Sequence, residues 1–391
     1  MGHHLRRLAP AAAILCGLAT SGGGRTAVAR VIAKTGLLVP DRACSALCLD
    51  DRGSPVFGAS MDHVTIDAGY VFINPRGLEK TSLDASVDGR YLTWVSQYAS
   101  LTFNLVGYHY AWAGMNEAGL VLSTMALGPL SQPVNDHRLP LDSGVWVQYV
   151  LDTCETIECV VASNDRVRIV TVDHYLVTDR WGNAVTIEFP AERLVEHHGV
   201  ALPVAVLTNM VYADALARWR THQQSGQPCS TWSSSPARFC IGADRVVSFV
   251  PAEDDDEAAI AYAFETLHAM RGEQFSEHSS QWNVVFDVRN RRAWFRTLDQ
   301  PAIKHVDLAD FEPHCGAPVQ MLDIQEPLPG DARDGFFDFD FDRALQHFIG
   351  FLRAWGVGAT DQDLTSVMRR FASFPCRPAP PAVAEAAASL R

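Results

Sequence analysis

The stretch Ala43-Cys44-Ser45-Ala46-Leu47-Cys48-Leu49-Asp50-Asp51-Arg52-Gly53-Ser54-Pro55-Val56-Phe57-Gly58-Ala59-Ser60-Met61-Asp62 decides how the rest of the chain is read. Residues 44–50 and 55–59 read as two short strands around the turn Asp51-Arg52-Gly53. A cysteine heads the first of them. Were the chain cut before it, this cysteine would carry its own base, since an α-amine titrates at about 8 and a thiol at about 8.5. Passing the thiol proton to that amine makes a thiolate without a histidine. The plainer reading of a cysteine that starts a strand is a buried thiol.

The 43 residues before Cys44 differ in kind from the rest of the chain. Arg6 and Arg7 precede an apolar run over residues 8–19, and Ser21-Gly22-Gly23-Gly24 comes after it. A basic flank, a short apolar centre and small residues are the layout of a secretory signal; the alternative is an ordinary N-terminal helix with a loose tail. The run is interrupted by Pro10 and is too short to span a bilayer. Ala27-Val28-Ala29 offers a signal-peptidase site, whereas Ala13-Ile14-Leu15 lacks the small residue expected before a lipidated Cys16. Residues 1–43 are therefore expected to be a secretory leader or propeptide that is removed, and the protein to be periplasmic or secreted. Cys44 lies well beyond Ala29, so exposing it requires a second cut or autocatalysis at the 43–44 bond.

The chain has 391 residues, 48% hydrophobic and 20% charged, enough to bury a core as one large domain or two average ones. Its formal charge of −13 excludes a polyanionic nucleic acid as partner, because binding one relies on Lys and Arg neutralising phosphates. Beyond the N-terminus there is no apolar run of about 18 residues, so no stable membrane span is expected. Nine cysteines stand at 16, 44, 48, 154, 159, 229, 240, 315 and 376. None forms a zinc pattern: 154/159 and 229/240 lack a nearby His or Cys at ligand spacing. In an oxidising compartment 229–240 and 315–376 are the easiest pairs to draw, although spacing does not determine connectivity. Cys154 and Cys159 read as buried helix residues.

Further strand-like runs cover residues 91–105, 108–113 and 120–125, with Asn116-Glu117-Ala118-Gly119 as a tight turn before the last. Residues 167–179 and 184–189 bracket the turn Trp181-Gly182-Asn183, and 283–288 with 293–297 make a hairpin around Arg289-Asn290-Arg291-Arg292. Helical periodicity appears over 144–151, 213–223 and 257–270. The acidic run Glu253-Asp254-Asp255-Asp256-Glu257 stands where negative charge favours a helix dipole, which makes metal binding the weaker reading. His197-His198 reads as a solvated pair in a surface loop. Hairpins first and helices in blocks argue an α+β chain with antiparallel sheets. The Pro-containing tail from about Phe371 is expected to fray.

Nucleophile-elbow, zincin, dinucleotide and Walker motifs are all missing. What remains is a resemblance. Residues 44–62 resemble the opening of the choloylglycine hydrolase family, which comprises bile salt hydrolases and penicillin V acylases of the N-terminal-nucleophile superfamily. The likeness continues through Gly114-Met115-Asn116-Glu117-Ala118-Gly119-Leu120, Val206-Leu207-Thr208-Asn209 and Ser235-Pro236-Ala237-Arg238-Phe239. It closes with Val284-Val285-Phe286-Asp287-Val288-Arg289-Asn290 and Trp294-Phe295-Arg296-Thr297. It implies a four-layer αββα sandwich over residues 44–370, followed by a Pro/Ala-rich tail at 371–391.

By the same resemblance, Cys44 matches the nucleophile that attacks an amide carbonyl and Asp62 the carboxylate that holds the cysteine amine. Asn209 matches a side chain of the oxyanion site and Arg238 an active-site arginine near the nucleophile. Without it, Asp62 would read as a strand-end turn residue, Asn209 as a loop residue and Arg238 as a helix-surface charge. No metal or organic cofactor is implied. Two positions depart from the family: Ala59 stands where an Arg normally lies beside the nucleophile, and Ala126 where an Asn or Trp serves the oxyanion site. Losing a cation at 59 leaves a less acidic thiol.

The resemblance thus implies an exported cysteine amidase that hydrolyses linear N-acyl amides of the penicillin V, N-acyl homoserine lactone or conjugated bile salt type. Ala59 feeds a rival reading, a non-catalytic relative that binds acyl amides or amphiphiles; a nearer rival is an acyltransferase of the same superfamily. Relatives are often tetramers, so a homotetramer is also on the table. An acidic chain disfavours strongly anionic leaving groups by long-range repulsion, which ranks apolar acyl amides above bile salts.

Overall fold

The computed structural model describes residues 44–62, 69–85, 89–127, 136–170, 173–190, 193–230, 234–253, 255, 257–271, 280–354 and 357–377. The expected leader, with Cys16 and Ala27-Val28-Ala29, lies outside the described residues, as do Asp254 and Asp256 of the acidic run and the tail beyond Arg377.

The opening hairpin forms as Ser45–Asp51 paired antiparallel with Ser54–Asp62. The second strand runs on to Asp62, past the expected end at Ala59. Its residues after Ser54 are all buried, as befits a strand covered on both faces, where polar–apolar alternation no longer marks the end. These two strands sit inside a seven-stranded sheet ordered Val206–Leu207, Ser45–Asp51, Ser54–Asp62, Ser280–Asp287, Arg292–Thr297, Lys304–Asp307, Gly330–Asp331. A nine-stranded sheet runs Val195–His198, Ala184–Glu188, Asp173–Thr178, Val121–Ala126, Ala113–Asn116, Ser100–Asn104, Tyr70–Asn74, Gln320–Asp323, Phe337–Asp338.

The sheets face each other through aromatic packing. Phe103 of the larger sheet meets Trp282, Phe286 and Phe295 of the smaller one with ring centroids 5.4–5.8 Å apart. Helices Ser235–Ser248 and Ala258–Arg271 cover the outer side of the smaller sheet. There Gly58 admits Leu267, to which a Cβ would come within 3.3 Å. Helix Ser143–Thr153 covers the larger sheet, with Trp146 against Tyr175 at 4.4 Å. The layers are α, β, β, α, and the fold is the expected α+β sandwich of mainly antiparallel sheets.

The expected helices form as Ser143–Thr153, Tyr212–Ser225 and Ala258–Arg271. Four further helices, Ile157–Ala162, Ser235–Ser248, Phe341–Ala354 and Asp361–Phe371, lie outside the three runs of helical periodicity. The run 91–105 divides into Tyr91–Val95, in a hairpin with Glu79–Ala85, and Ser100–Asn104, in the larger sheet. Of the run 108–113 only Ala113 is strand, because Gly107 (φ +151°) and His109 (φ +66°) fold the aromatics back on themselves. His197 is not in a solvated loop: it lies on the strand Val195–His198, 3.1 Å from Thr186 Oγ1, with its ring against Tyr212.

Disulfides join Cys229–Cys240 and Cys315–Cys376, the two pairs drawn from sequence. A third joins Cys154 and Cys159, which corrects their reading as buried helix thiols. Cys154 caps one helix and Cys159 sits in the first turn of the next, Ile157–Ala162, so the bend between them brings the Cα atoms to 5.5 Å, a bridgeable distance. The chain past Phe371 is tied down as far as Arg377 by the bond to Cys315 and by Arg377 N–H donating to Gly77 O at 2.7 Å. Among the described residues no helix is long and apolar enough to cross a membrane.

Candidate active site

Strand register sorts the hairpin's residues between two faces. Ser45, Ser60 and Asn283 lie side by side across three strands, on the face that Gly58 turns to Leu267. Ala46, Ala59 and Val284 form the neighbouring row, on the face turned to the other sheet. Asp62 shares the face of Ser60, one step of the pleat further on.

Cys44 stands at the head of the first strand, fully buried, with its Sγ 3.6 Å from the Met61 thioether. Arg238 approaches from the first turn of helix Ser235–Ser248, whose start is preset by Pro236. Arg238 is 2% exposed, so it is a core residue and not a helix-surface charge. Nη1 donates to Cys44 O at 2.6 Å and to Ser45 Oγ at 2.8 Å, while Nη2 donates to Asn209 Oδ1 at 2.9 Å. A planar five-donor fork suits a site with several acceptors in fixed directions. Burial pulls the guanidinium below its ordinary range, and the charges of Asp62 and Cys44 oppose that.

Asn209 reaches the cluster because the strand Val206–Leu207 pairs with Ala46 and Leu47. With Oδ1 held by Arg238, its amide must present Nδ2 as donor, and Nδ2 donates to Ala126 O at 2.8 Å. Ala126 thus contributes a backbone acceptor where the family resemblance puts a side-chain donor. An amide NH₂ carries two hydrogens, so Asn209 keeps a second one for another acceptor.

Asp62 is 1% exposed. Ser280 Oγ donates to its Oδ1 at 2.6 Å and Ser60 Oγ to its Oδ2 at 3.3 Å; Ser60 Oγ in turn accepts Ser45 N–H at 3.2 Å. Burial pushes its carboxyl up to about 6, against the pull of Ser280, Arg238, Ser60 and Arg271. All four residues singled out from sequence therefore meet in one hydrogen-bonded group, with Cys44, Asp62 and Arg238 buried and Asn209 half-buried. Ala59 lies fully buried between Ala46 and Val284. The guanidinium bonded to the Cys44 carbonyl is that of Arg238.

Sequence reading missed Ser45, Ser60, Ser280 and Glu188. Ser60 was within reach, since a strand places residues 60 and 62 on one face. Glu188 is fully buried, with Oε1 2.8 Å from His174 Nδ1 and both oxygens accepting the Tyr212 N–H, three residues past Asn209. Away from this site, His222 comes within 4.8 Å of the sulfurs of Cys229 and Cys240, a neighbour their spacing did not reveal. Those sulfurs are bonded to each other, which leaves the imidazole as the one free donor of the trio.

The layer order and the strand opening at Cys44 define an N-terminal-nucleophile hydrolase sandwich. The chain is similar in structure to a penicillin V acylase from Agrobacterium tumefaciens (TM-score 0.67, 22% identity, 76% of this chain and 98% of that one). It is similar also to a mutant conjugated bile acid hydrolase from Clostridium perfringens (TM-score 0.56, 16% identity, 69% and 93%). In sequence it is 23% identical over 310 residues to a penicillin V acylase of Pectobacterium atrosepticum, across 68% of this chain and 81% of the relative. The profile of the linear amide C–N hydrolases, choloylglycine hydrolase family, matches residues 44–321, and the chain belongs to that family. It is a hydrolase of linear amide C–N bonds. The match begins at Cys44.

Proposed function

We propose that this protein is an exported amidase in which Cys44, freed as the N-terminal residue, attacks the carbonyl carbon of linear N-acyl amides. The observation that carries the reading is the reach of Arg238 from Cys44 O to Asn209 Oδ1 within one hydrogen-bonded cluster, at the residue where the family match begins. The thiol proton moves to the Cys44 α-amine, and the thiolate adds to the carbonyl. Negative charge then builds on the carbonyl oxygen, which accepts the second Nδ2–H of Asn209. Asp62 holds the aminium, which returns its proton to the leaving nitrogen as the C–N bond breaks. Water, deprotonated by the same amine, cleaves the thioester to the acid and restores the thiol. Every proton is accounted for by the enzyme's own terminus.

The substrate class we favour is an apolar acyl amide of the penicillin V or N-acyl homoserine lactone kind, ahead of conjugated bile salts. Removing residues 1–43 takes away six basic residues and one acidic one, which moves the formal charge from −13 to −18 and repels anionic leaving groups. Ala59 and the Met61 thioether supply no cation to bind a carboxylate or sulfonate near the sulfur. Each acyl CH₂ buried contributes about 0.8 kcal/mol, so longer chains should lower KM until the pocket fills.

N-terminal sequencing and intact mass of the exported protein test the processing; an active enzyme that begins at Arg30 overturns it. A panel of glycocholate, penicillin V and homoserine lactones of increasing acyl length tests the substrate. Glycocholate leading by tenfold in kcat/KM overturns the preference. No turnover and no Cys44 acylation with any member favours the binding-only rival, and acyl transfer to added amine in place of water favours the acyltransferase.

A further inference from the structure

We infer that Ser280 is a positioning residue for Asp62, delivered by a β-bulge, and that with Ser60 it forms a two-hydroxyl clamp that keeps this carboxylate ionised and fixed in orientation. The inference rests on the amidase reading, in which Asp62 holds the Cys44 amine.

The bulge is visible in the register of Ser280–Asp287 against Ser54–Asp62. Asn283 faces Ser60 and Trp282 faces Met61, so an uninterrupted ladder would put Gln281 opposite Asp62. The register slips between Ser280 and Trp282, and Ser280 takes that place instead. A bulge costs ladder pairing and serves to re-aim a side chain, often beside an active site. Here it exchanges a long amide for a short hydroxyl, whose Oγ reaches Oδ1 at 2.6 Å. The second half of the clamp is just as directed. Ser60 Oγ accepts the Ser45 N–H, which turns its own hydrogen to Oδ2. That N–H belongs to the peptide formed with Cys44, whose carbonyl Arg238 holds, so clamp and nucleophile share one peptide unit.

The charged groups that face Asp62 are Arg238 from helix Ser235–Ser248 and Arg271 from the end of helix Ala258–Arg271, joined in the amidase reading by the freed Cys44 α-amine. The arginines favour the carboxylate and burial opposes it, leaving its titration at about 6, just below neutral pH. A hydrogen bond donated to a carboxylate stabilises its ionised form. Loss of the Ser280 hydroxyl therefore raises the pH at which Asp62 takes up a proton and releases the amine.

The test compares wild type, Ser280→Ala, Ser280→Thr and Ser60→Ala by kcat/KM against pH on whichever panel amide is turned over. Tm confirms folding. Wild type should lose activity on the acid side as Asp62 takes up a proton, with a midpoint below the uncleaved chain's value of about 6, because the freed Cys44 aminium favours the carboxylate. Ser280→Ala should move that midpoint up by about one pH unit, as loss of one hydrogen bond to a charged group implies. Thr should restore it, and Ser60→Ala should move it the same way by less, since its contact is longer. A folded Ser280→Ala with the wild-type midpoint overturns the inference; if that variant does not fold, an unmoved midpoint in Ser60→Ala overturns it. A parallel readout needs no substrate: the pH profile of Cys44 alkylation by iodoacetamide, assigned by peptide mass apart from Cys48. If wild type hydrolyses no amide, the amidase reading fails by itself. The alkylation profile still decides the clamp, shifted in Ser280→Ala if it exists and unshifted if it does not.

Discussion

Glu188, the last residue of the strand Ala184–Glu188, receives the backbone N–H of Tyr212 on both carboxylate oxygens, at 3.0 and 3.1 Å. Helix Tyr212–Ser225 has no side-chain cap at Val211, so a carboxylate from the sheet caps it and complements the positive end of its dipole. The anchored point lies three residues from Asn209. Glu188→Ala leaves that N–H and His174 Nδ1 without their acceptor and should cost about 1–3 kcal/mol of stability. With Asn209 in its proposed oxyanion role, it should also lower kcat more than it raises KM, because the amide loosens. Thermal melts and steady-state kinetics on the same preparation check this; an unchanged Tm removes the capping role.

Arg238 and Asn209 should behave as a coupled pair. In the role proposed for it, Asn209→Ala is expected to reduce kcat by about 10²–10³, the cost of losing one oxyanion donor, with the fold intact. Arg238→Lys retains a charge but cannot meet Cys44 O, Ser45 Oγ and Asn209 Oδ1 together, so it should resemble Asn209→Ala. The double variant should fall little further than either single one. Full additivity in that cycle would mean that Arg238 does not orient the amide.

Asp62 gives stability a pH dependence of definite sign. Its carboxyl, raised from 3.8 to about 6, binds a proton more tightly folded than unfolded. The stability it contributes is complete below about pH 4 and is lost as pH rises through about 6. Asp62→Asn should therefore gain about 3 kcal/mol relative to wild type between pH 4 and pH 8, while losing activity. Urea unfolding at the two pH values measures the difference. A difference that stays constant with pH contradicts the assignment.

The bridge between Cys315 and Cys376 closes a separation of 61 residues. Loop entropy assigns such a closure about 4 kcal/mol. Cys376→Ser should lower Tm and open residues 372–377 to proteolysis next to Gly77 and Glu79, which now bond to Arg377 and Pro375. Turnover at moderate temperature should hold, since the Cys44 cluster contains no part of that bridge. A Tm within a degree of wild type would show that strand and helix packing alone hold the C-terminal segment.

Local patterns carried the hairpins. Residues 44–62, 283–297 and 173–189 announce themselves because alternating or apolar runs stand next to turn residues, and each strand has a sequence neighbour as partner; Val167–Ile169, read as the start of the same strand, pairs instead in parallel with Leu139–Leu141. The resemblance picked out Cys44, Asp62, Asn209 and Arg238 as belonging together. Arg238 shows where that legibility ends: an arginine in the first turn of a helix looks solvent-bound. Only the packing of that helix on the first strand turns it into a buried fork with three acceptors. Cys154 and Cys159 look like helix thiols until a bend between two helices brings them within bonding distance. Ser280 is invisible for a sharper reason. Its place opposite Asp62 depends on a one-residue slip between strands whose paired residues stand 218 positions apart. A bulge there inverts which of two adjacent side chains faces the site. Sequence by itself thus determined the strands and the neighbours of Cys44 in kind, because those are local or motif-borne properties. Tertiary structure alone decided which polar groups are buried together, because that depends on register and on the contact of distant surfaces.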